Sequence, residues 1–136
     1  MERPIFPEHM FAEDFEYIYE PQEDTYALID SVAQDIQLIK DYDPLVCLEV
    51  GCGSGAAITS LAKCLGPTTR LYLATDFNPR ALTTTQKCCQ VNGITDCTVQ
   101  LVRNDLTQAI QTRLKHSVDL ILFNSPYRRS EPAQVC

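Results

Sequence analysis

The sequence predicts an α/β fold, a parallel sheet with helices packed on it. Three observations lead there. Four short apolar runs, residues 45–50, 70–75, 98–102 and 118–123, read as strands, and segments of helical spacing separate them. The runs are close to continuously apolar, which is the mark of strands buried on both faces. The order is βαβαβαβ, and that alternation implies right-handed crossovers in a parallel sheet.

The elements follow in chain order. Residues 1–18 hold Pro4, Pro7 and several aromatics without periodicity, and they are predicted to form an irregular arm. Pro21 suits the first position of a helix, and Glu23 and Asp24 suit its first turn. That helix is expected to run to about Lys40, with Ile29, Val32, Ala33, Ile36 and Ile39 near helical spacing, until Asp41-Tyr42-Asp43-Pro44 breaks it. The first strand, 45–50, enters the turn Gly51-Cys52-Gly53-Ser54-Gly55. A helix over 56–65 leaves it, with Ile58, Leu61, Ala62 and Leu65 as its buried stripe, and Gly66-Pro67 stops it. Strand two ends at Asp76. Asn78-Pro79 reads as N-cap and first residue of the next helix, which ends before Asn92-Gly93. Strand three ends near Asn104-Asp105, a short helix is expected over 106–114, and strand four runs into Asn124-Ser125-Pro126-Tyr127.

Composition bounds the function. A chain of 136 residues is enough for one domain with a real core. The net charge is −7 and no Lys/Arg cluster stands out, so a direct nucleic-acid grip is disfavoured. Seven cysteines occur without a C-x-x-C pair, and they read as reduced core residues rather than zinc ligands or disulfides. No membrane-length apolar run and no apolar signal core are present, and the cytosol or nucleus is expected. His9 and His116 are isolated, and no metal or Ser/His/Asp constellation is visible.

Ligands of parallel sheets sit beyond the carboxyl ends of the strands. Glu49, Gly51, Asp76, Asp105 and Asn124 all lie at those ends. Glycines at alternate positions let backbone approach a ligand and leave the N–H groups of a helix start pointing at it. This reads as a nucleotide-type cofactor site. Gly51, Gly53 and Ala56 could pass for the G-x-G-x-x-A of an NAD site, with Asp76 at the ribose position. The same pattern serves S-adenosylmethionine. The spacing Glu49-x-Gly51-x-Gly53-x-Gly55 resembles motif I of class I methyltransferases, and Asp105 stands after strand three, where such enzymes commonly hold the adenine amino group; with Asn124-Ser125-Pro126-Tyr127 after strand four, these resemblances favour the second cofactor. The last has no role in a dehydrogenase.

Asn124-Ser125-Pro126-Tyr127 resembles the Asn-Pro-Pro-Tyr motif of amino-methyltransferases that act on planar nitrogens. With Tyr19-Glu20-Pro21-x-x-Asp24-Thr25, Glu49-Val50-Gly51-Cys52-Gly53-Ser54-Gly55 and Thr75-Asp76-x-Asn78-Pro79, the chain resembles the HemK family, most of all its eukaryotic release-factor glutamine methyltransferase branch. The resemblance covers 19–127, read as the N-terminal part of a methyltransferase domain, with 1–18 as an arm and 128–136 as a tail. It implies a Rossmann-like class I methyltransferase fold with S-adenosylmethionine as cofactor. The methyl group would go to the side-chain amide of glutamine in a Gly-Gly-Gln loop of a translation release factor. A small zinc-binding activator subunit would be the partner.

The resemblance also implies roles. Asp76 would accept from the ribose hydroxyls, or else merely start the turn after its strand. Gly51, Gly53 and Gly55 would let backbone approach the methionine moiety. Glu49 would order the turn and the methionine amino group, or stand as a solvated strand-end acid. Thr25 would reach the methionine carboxylate or simply open its helix. Asn78 belongs to the same cofactor rim, and Asp105 with Leu106 would hold and flank the adenine. Asn124, counted among the cofactor-binding residues as well, would with the Ser125 carbonyl hold a substrate NH₂, aiming its lone pair at the methyl donor. Pro126 would stiffen the turn and Tyr127 would stack on the planar amide. Ser125 stands where the family has proline, which keeps the carbonyl acceptor but loses a stiff turn. Only four of the family's seven strands can be placed, so a truncated copy is expected, with strand four as an apolar edge. The alternatives are a fragment that binds cofactor or activator without turnover, a nucleobase amino-methyltransferase, and an NAD module.

Overall fold

The computed structural model describes residues 1–67, 69–95, 98–105, 107–108 and 110–124. Four strands, β1 (Val46–Val50), β2 (Leu71–Asp76), β3 (Val99–Arg103) and β4 (Leu120–Phe123), form one sheet in the order β3-β2-β1-β4. Every pairing is parallel, as the sequence pattern predicts. β1 therefore has β2 on one side and β4 on the other, and chain order reverses there. Val50 pairs with Thr75 of β2 and with Phe123 of β4. One residue further on, Gly51, Asp76 and Asn124 stand abreast at the carboxyl edge.

The strands start slightly later than the apolar runs suggest, for reasons of hydrogen bonding. Leu45 and Val46 donate their N–H groups to the Asp119 carboxylate, both at 2.9 Å. The one acid within the fourth apolar run thus pins the entry of β1. Arg70 stays outside β2, where its guanidinium bonds the Leu65 carbonyl at 3.0 Å and pairs with Asp43.

Among the described residues, five α-helices and one 3₁₀ turn (Asp14–Glu16) accompany the sheet: α1 (Glu8–Phe11), α2 (Glu23–Gln34), α3 (Ile36–Tyr42), α4 (Ala56–Leu65) and α5 (Pro79–Val91). The main core joins Ile29 and Val32 of α2, Ile58 and Leu61 of α4, and Cys89 of α5 to Cys47, Tyr72, Ala74 and Leu122 of the strands. Each such aliphatic side chain stabilises the fold by about 1.5–3 kcal/mol. The opposite face is thinner. Leu48, Val50 and Leu73 are covered by Ile110, Leu114 and Val118.

Four expectations need correction. The helix expected over 21–40 is two helices, because Asp35 leaves helical geometry at φ −96° and ψ 9°. Pro21 precedes it rather than opening it, and Gln22 is the N-cap, in a reciprocal capping box with Thr25. The helix expected over 106–114 is replaced, among the described residues, by successive turns such as Ile110 N to Thr107 O at 3.1 Å. The β-branched Thr107, Ile110 and Thr112 weaken helix propensity there.

The arm is not irregular either. Phe6, Phe11 and Phe15 cluster, with the Phe6–Phe11 centroids 5.0 Å apart. Asp14 is buried between Arg80 and Lys87 of α5. The Asn92 amide clasps the Ile5 backbone, accepting at 2.8 Å and donating at 3.0 Å. The five described cysteines, Cys47, Cys52, Cys64, Cys88 and Cys89, are free and mostly buried. Burial pushes the Cys47 thiol up to about 11 and the Cys88 thiol up to about 12, so neither is a reactive thiolate near neutral pH. His9 and His116 are exposed.

Candidate functional site

The site is built from the glycine turn outward. Gly51, Gly53 and Gly55 all have positive φ, at 69°, 53° and 81°, a region that side-chain-bearing residues rarely adopt. Their surroundings differ. A Cβ placed on Gly51 or Gly53 would meet nothing within 4 Å, so the first half of the turn faces open space. A Cβ on Gly55 would lie 2.8 Å from the Cα and side chain of Thr85 on α5. Gly55 therefore has a packing reason of its own, the close approach of α5 to the start of α4.

Gly55 is also the N-cap of α4 and has no side chain with which to cap. Glu49 takes over that task. Its Oε2 accepts the N–H of Ile58, the third residue of the helix, at 2.9 Å. Glu49 is only 4% exposed. Burial pushes its carboxyl up to about 8, the Ile58 N–H opposes that shift, and nearby Asp76 adds to it. The acid two residues before the first glycine is thus neither solvated nor a mere strand end. It ties β1 to the helix start.

Asp76, the last residue of β2, closes the other side of the turn. One carboxylate oxygen accepts the Gly53 N–H at 3.0 Å and the other accepts the Asn78 N–H at 2.9 Å. A carboxylate has about four acceptor positions, so capacity remains on both oxygens. The Asp76 carbonyl accepts the Asn104 N–H at 3.0 Å, which carries the rim on to β3. Asn78 caps α5 by accepting the Arg80 N–H at 2.9 Å, and its amide donates to the Tyr17 carbonyl at 3.3 Å. Asp105 is exposed just beyond β3.

The other flank of β1 carries Asn124, half-buried at the end of β4. Its Nδ2 donates to Asp24 Oδ2 at 3.1 Å, across one hundred residues of chain. Asp24 lies in the first turn of α2, beside Thr25, whose hydroxyl accepts the Gln22 N–H at 3.4 Å. Gln22, Glu23, Asp24 and Tyr26 line an open surface depression at the start of α2. Of the residues singled out in the sequence, Glu49, Gly51, Gly53, Asp76 and Asn78 gather between β1 and β2, and Thr25 and Asn124 lie on the β4 side. Leu106, Ser125, Pro126 and Tyr127 lie outside the described residues. Sequence reading missed Asp24 as a partner of Asn124 and Thr85 as the partner of Gly55. The Asp24 contact joins residues too far apart in the chain for spacing to signal it.

The crevice between β2 and β4, above the carboxyl end of β1, is where open parallel sheets bind ligands. The residues present fit a nucleoside-type cofactor. Backbone is bare over Gly51 and Gly53, and an acid with spare acceptor capacity stands beside it.

Comparison with known proteins agrees with this layout. The profile of the methyltransferase domain family matches residues 47–135. The chain is 38% identical over 127 residues to Methyltransferase HEMK2 of Mus musculus, covering 93% of this chain and 56% of that protein. It is 28% identical over 128 residues to the eRF1 methyltransferase catalytic subunit mtq2 of Schizosaccharomyces pombe, covering 87% and 54%. The chain thus spans about half the length of the curated relatives it matches. Among solved structures, the N-terminal domain of human METTL16 superposes with a TM-score of 0.58 at 17% identity, over 86% of this chain and 49% of that one. That likeness shows the Rossmann-like fold. With the glycine turn, the Asp76 clasp and the sheet order, these matches establish that the chain belongs to the methyltransferase domain family, among its HemK members.

Proposed function

We propose that the protein is an S-adenosylmethionine-dependent methyltransferase that modifies a side-chain amide, that of glutamine in a Gly-Gly-Gln loop of a translation release factor. The observation that carries the reading is the register at the carboxyl edge. Gly51, Asp76 and Asn124 stand abreast, with open space over the turn. The glycine turn and Asp76 would hold the cofactor, the backbone admitting its methionine end and the carboxylate accepting from its ribose hydroxyls. When bound, the cofactor supplies an electrophilic methyl group on a sulfonium sulfur.

The chain's own residues do the rest. An amide nitrogen is a poor nucleophile because its lone pair is delocalised. Acceptors on the N–H groups hold it in one orientation, and Asn124 Oδ1 is such an acceptor. The gain is orientation and electrostatics rather than covalent help. Ser125 through its carbonyl, with Pro126 and Tyr127, would complete this wall by family resemblance. The name of the fission yeast relative, an eRF1 methyltransferase catalytic subunit, supports a release factor as substrate.

A small zinc-binding activator subunit is proposed as partner. Among the described residues, Ile121 and Phe123 on one face of β4 are 57% and 51% exposed, apolar surface that supports a protein covering that side. The free, buried cysteines support a reducing compartment, the cytosol or nucleus.

The test uses the chain with and without the activator subunit. Calorimetry with S-adenosylmethionine is expected to give saturable binding, and labelled methyl is expected to appear on a Gly-Gly-Gln protein. Binding without transfer would support a cofactor-binding piece only. Label on RNA or DNA but not protein would move the substrate to a nucleobase, and NADH binding in place of S-adenosylmethionine would overturn the cofactor.

A further inference from the structure

We propose that Asp24 is a positioning residue for Asn124, fixing which end of its amide faces the reacting groups. The proposal rests on the amide-methyltransferase reading above and deepens it. The geometry comes first. Asn124 Nδ2 lies 3.1 Å from Asp24 Oδ2. An ionised carboxylate only accepts, whereas an asparagine amide has a donor end and an acceptor end. The Asn124 NH₂ must therefore point at Asp24 for a bond to form, and its Oδ1 is left turned away as an acceptor.

That polarity is what the chemistry needs. A substrate NH₂ group is a donor and has to meet Oδ1. With the Asn124 amide flipped by half a turn about its last torsion, NH₂ would face NH₂. That contact is repulsive and leaves the substrate nitrogen unaligned. Both orientations have the same shape, so packing alone discriminates weakly between them. A charged acceptor discriminates strongly, since hydrogen bonds to ionised groups are about twice as strong as neutral ones.

Asp24 is itself well placed to act as the fixed reference. It sits in the first turn of α2, where the helix dipole favours a negative charge. The Gln22–Thr25 capping box on either side of it pins the backbone of that turn. Asp24 also lines an open surface depression with Gln22, Glu23 and Tyr26, so it stands on the solvent-facing side of the turn. Asp24 and Asn124 are one hundred residues apart in the chain, and this hydrogen bond couples them.

The test has two arms. In the first, the Asn124 side-chain NH₂ signals are assigned by nuclear magnetic resonance through their loss in Asn124→Ala. One Nδ2 proton is expected to exchange slowly in the wild type, to speed up at least tenfold in Asp24→Ala, and to stay slow in Asp24→Asn, which keeps an acceptor. In the second, transfer to a Gly-Gly-Gln peptide is measured beside affinity for S-adenosylhomocysteine. Asp24→Ala is expected to lower kcat at least tenfold, leave that affinity within twofold, and add nothing on an Asn124→Ala background. Unchanged Nδ2 exchange in Asp24→Ala would overturn the proposal. So would an equal loss of cofactor affinity and transfer, which would move Asp24 to the cofactor. If wild type fails to bind S-adenosylhomocysteine, the methyltransferase reading falls, while the exchange arm still decides the Asp24–Asn124 coupling. Should Asp24→Ala not fold, Asp24→Leu against Asp24→Asn gives the same exchange contrast.

Discussion

The two flanks of β1 are built differently. On the β2 side, Glu49, the glycine turn and Asp76 are tied to backbone N–H groups at 2.9–3.0 Å, and Glu49 is buried. On the β4 side, Asn124 ends a strand that is outermost among the described residues, and its side chain bonds another side chain, Asp24. The β2 flank is made by the same contacts that make the fold. The β4 flank is made by side chains that the fold only brings near one another. Damage to the first should cost stability together with binding. Damage to the second should cost orientation and spare stability.

Gly55→Ala is the most severe break of the β2 flank. It places a methyl 2.8 Å from the Thr85 backbone at a φ of 81°. A loss of about 3 kcal/mol or more is expected in urea unfolding, from overpacking plus left-handed strain. Gly51→Ala meets nothing within 4 Å and should lose only the strain, about 1 kcal/mol. Equal losses at the two glycines would remove the packing role given to Gly55.

Glu49 gives the next largest effect, and its sign is fixed by linkage. Its folded carboxyl is raised from 4.5 to about 8. Between those values the native state holds a proton that the unfolded chain has released. Stability therefore falls as pH rises through this window and levels off above it. Glu49→Gln removes that slope. Relative to the variant, wild type should lose on the order of 3 kcal/mol between pH 4.5 and pH 8. Parallel stability curves for the two proteins would mean that Glu49 is ionised in the fold.

Asp76→Asn keeps the shape but has one acceptor oxygen where two N–H groups, those of Gly53 and Asn78, now bond. Leaving one N–H unpaired should cost about 1–2 kcal/mol. The smallest effect is expected on the exposed face of β4. Phe123→Lys should change stability by less than about 0.5 kcal/mol. Leu122→Ala next to it, 4% exposed in wild type, should cost about 2–4 kcal/mol. A large loss for Phe123→Lys would show that this face is covered in solution.

Much of this was legible in the sequence because it is local. The glycine spacing, Asn78-Pro79 and the apolar runs each act over a few residues, and the structure places a turn, a capped helix and four parallel strands there. What was not legible is long-range. Thr85 meets Gly55 only because α5 crosses the start of α4, and nothing in either helix's periodicity announces it. Asp119 interrupts an apolar run, and its role depends on the Leu45 and Val46 N–H groups, which converge on it from another part of the chain. The N-terminal arm has no period of its own because α5 supplies its order, through Arg80, Lys87 and Asn92. Residues 106–114 carry helix-spaced apolar side chains, and Ile110 and Leu114 do cover the sheet, but from turns.

The most direct measurement is a calorimetric titration of this chain with S-adenosylhomocysteine, wild type against Asp76→Ala. A cofactor held at the glycine turn predicts saturable one-site binding, weakened at least tenfold in the variant, with Asn124→Ala left within twofold of wild type. No binding by a folded wild-type chain, or equal affinity in wild type and Asp76→Ala, would contradict the assignment of this turn as the cofactor site.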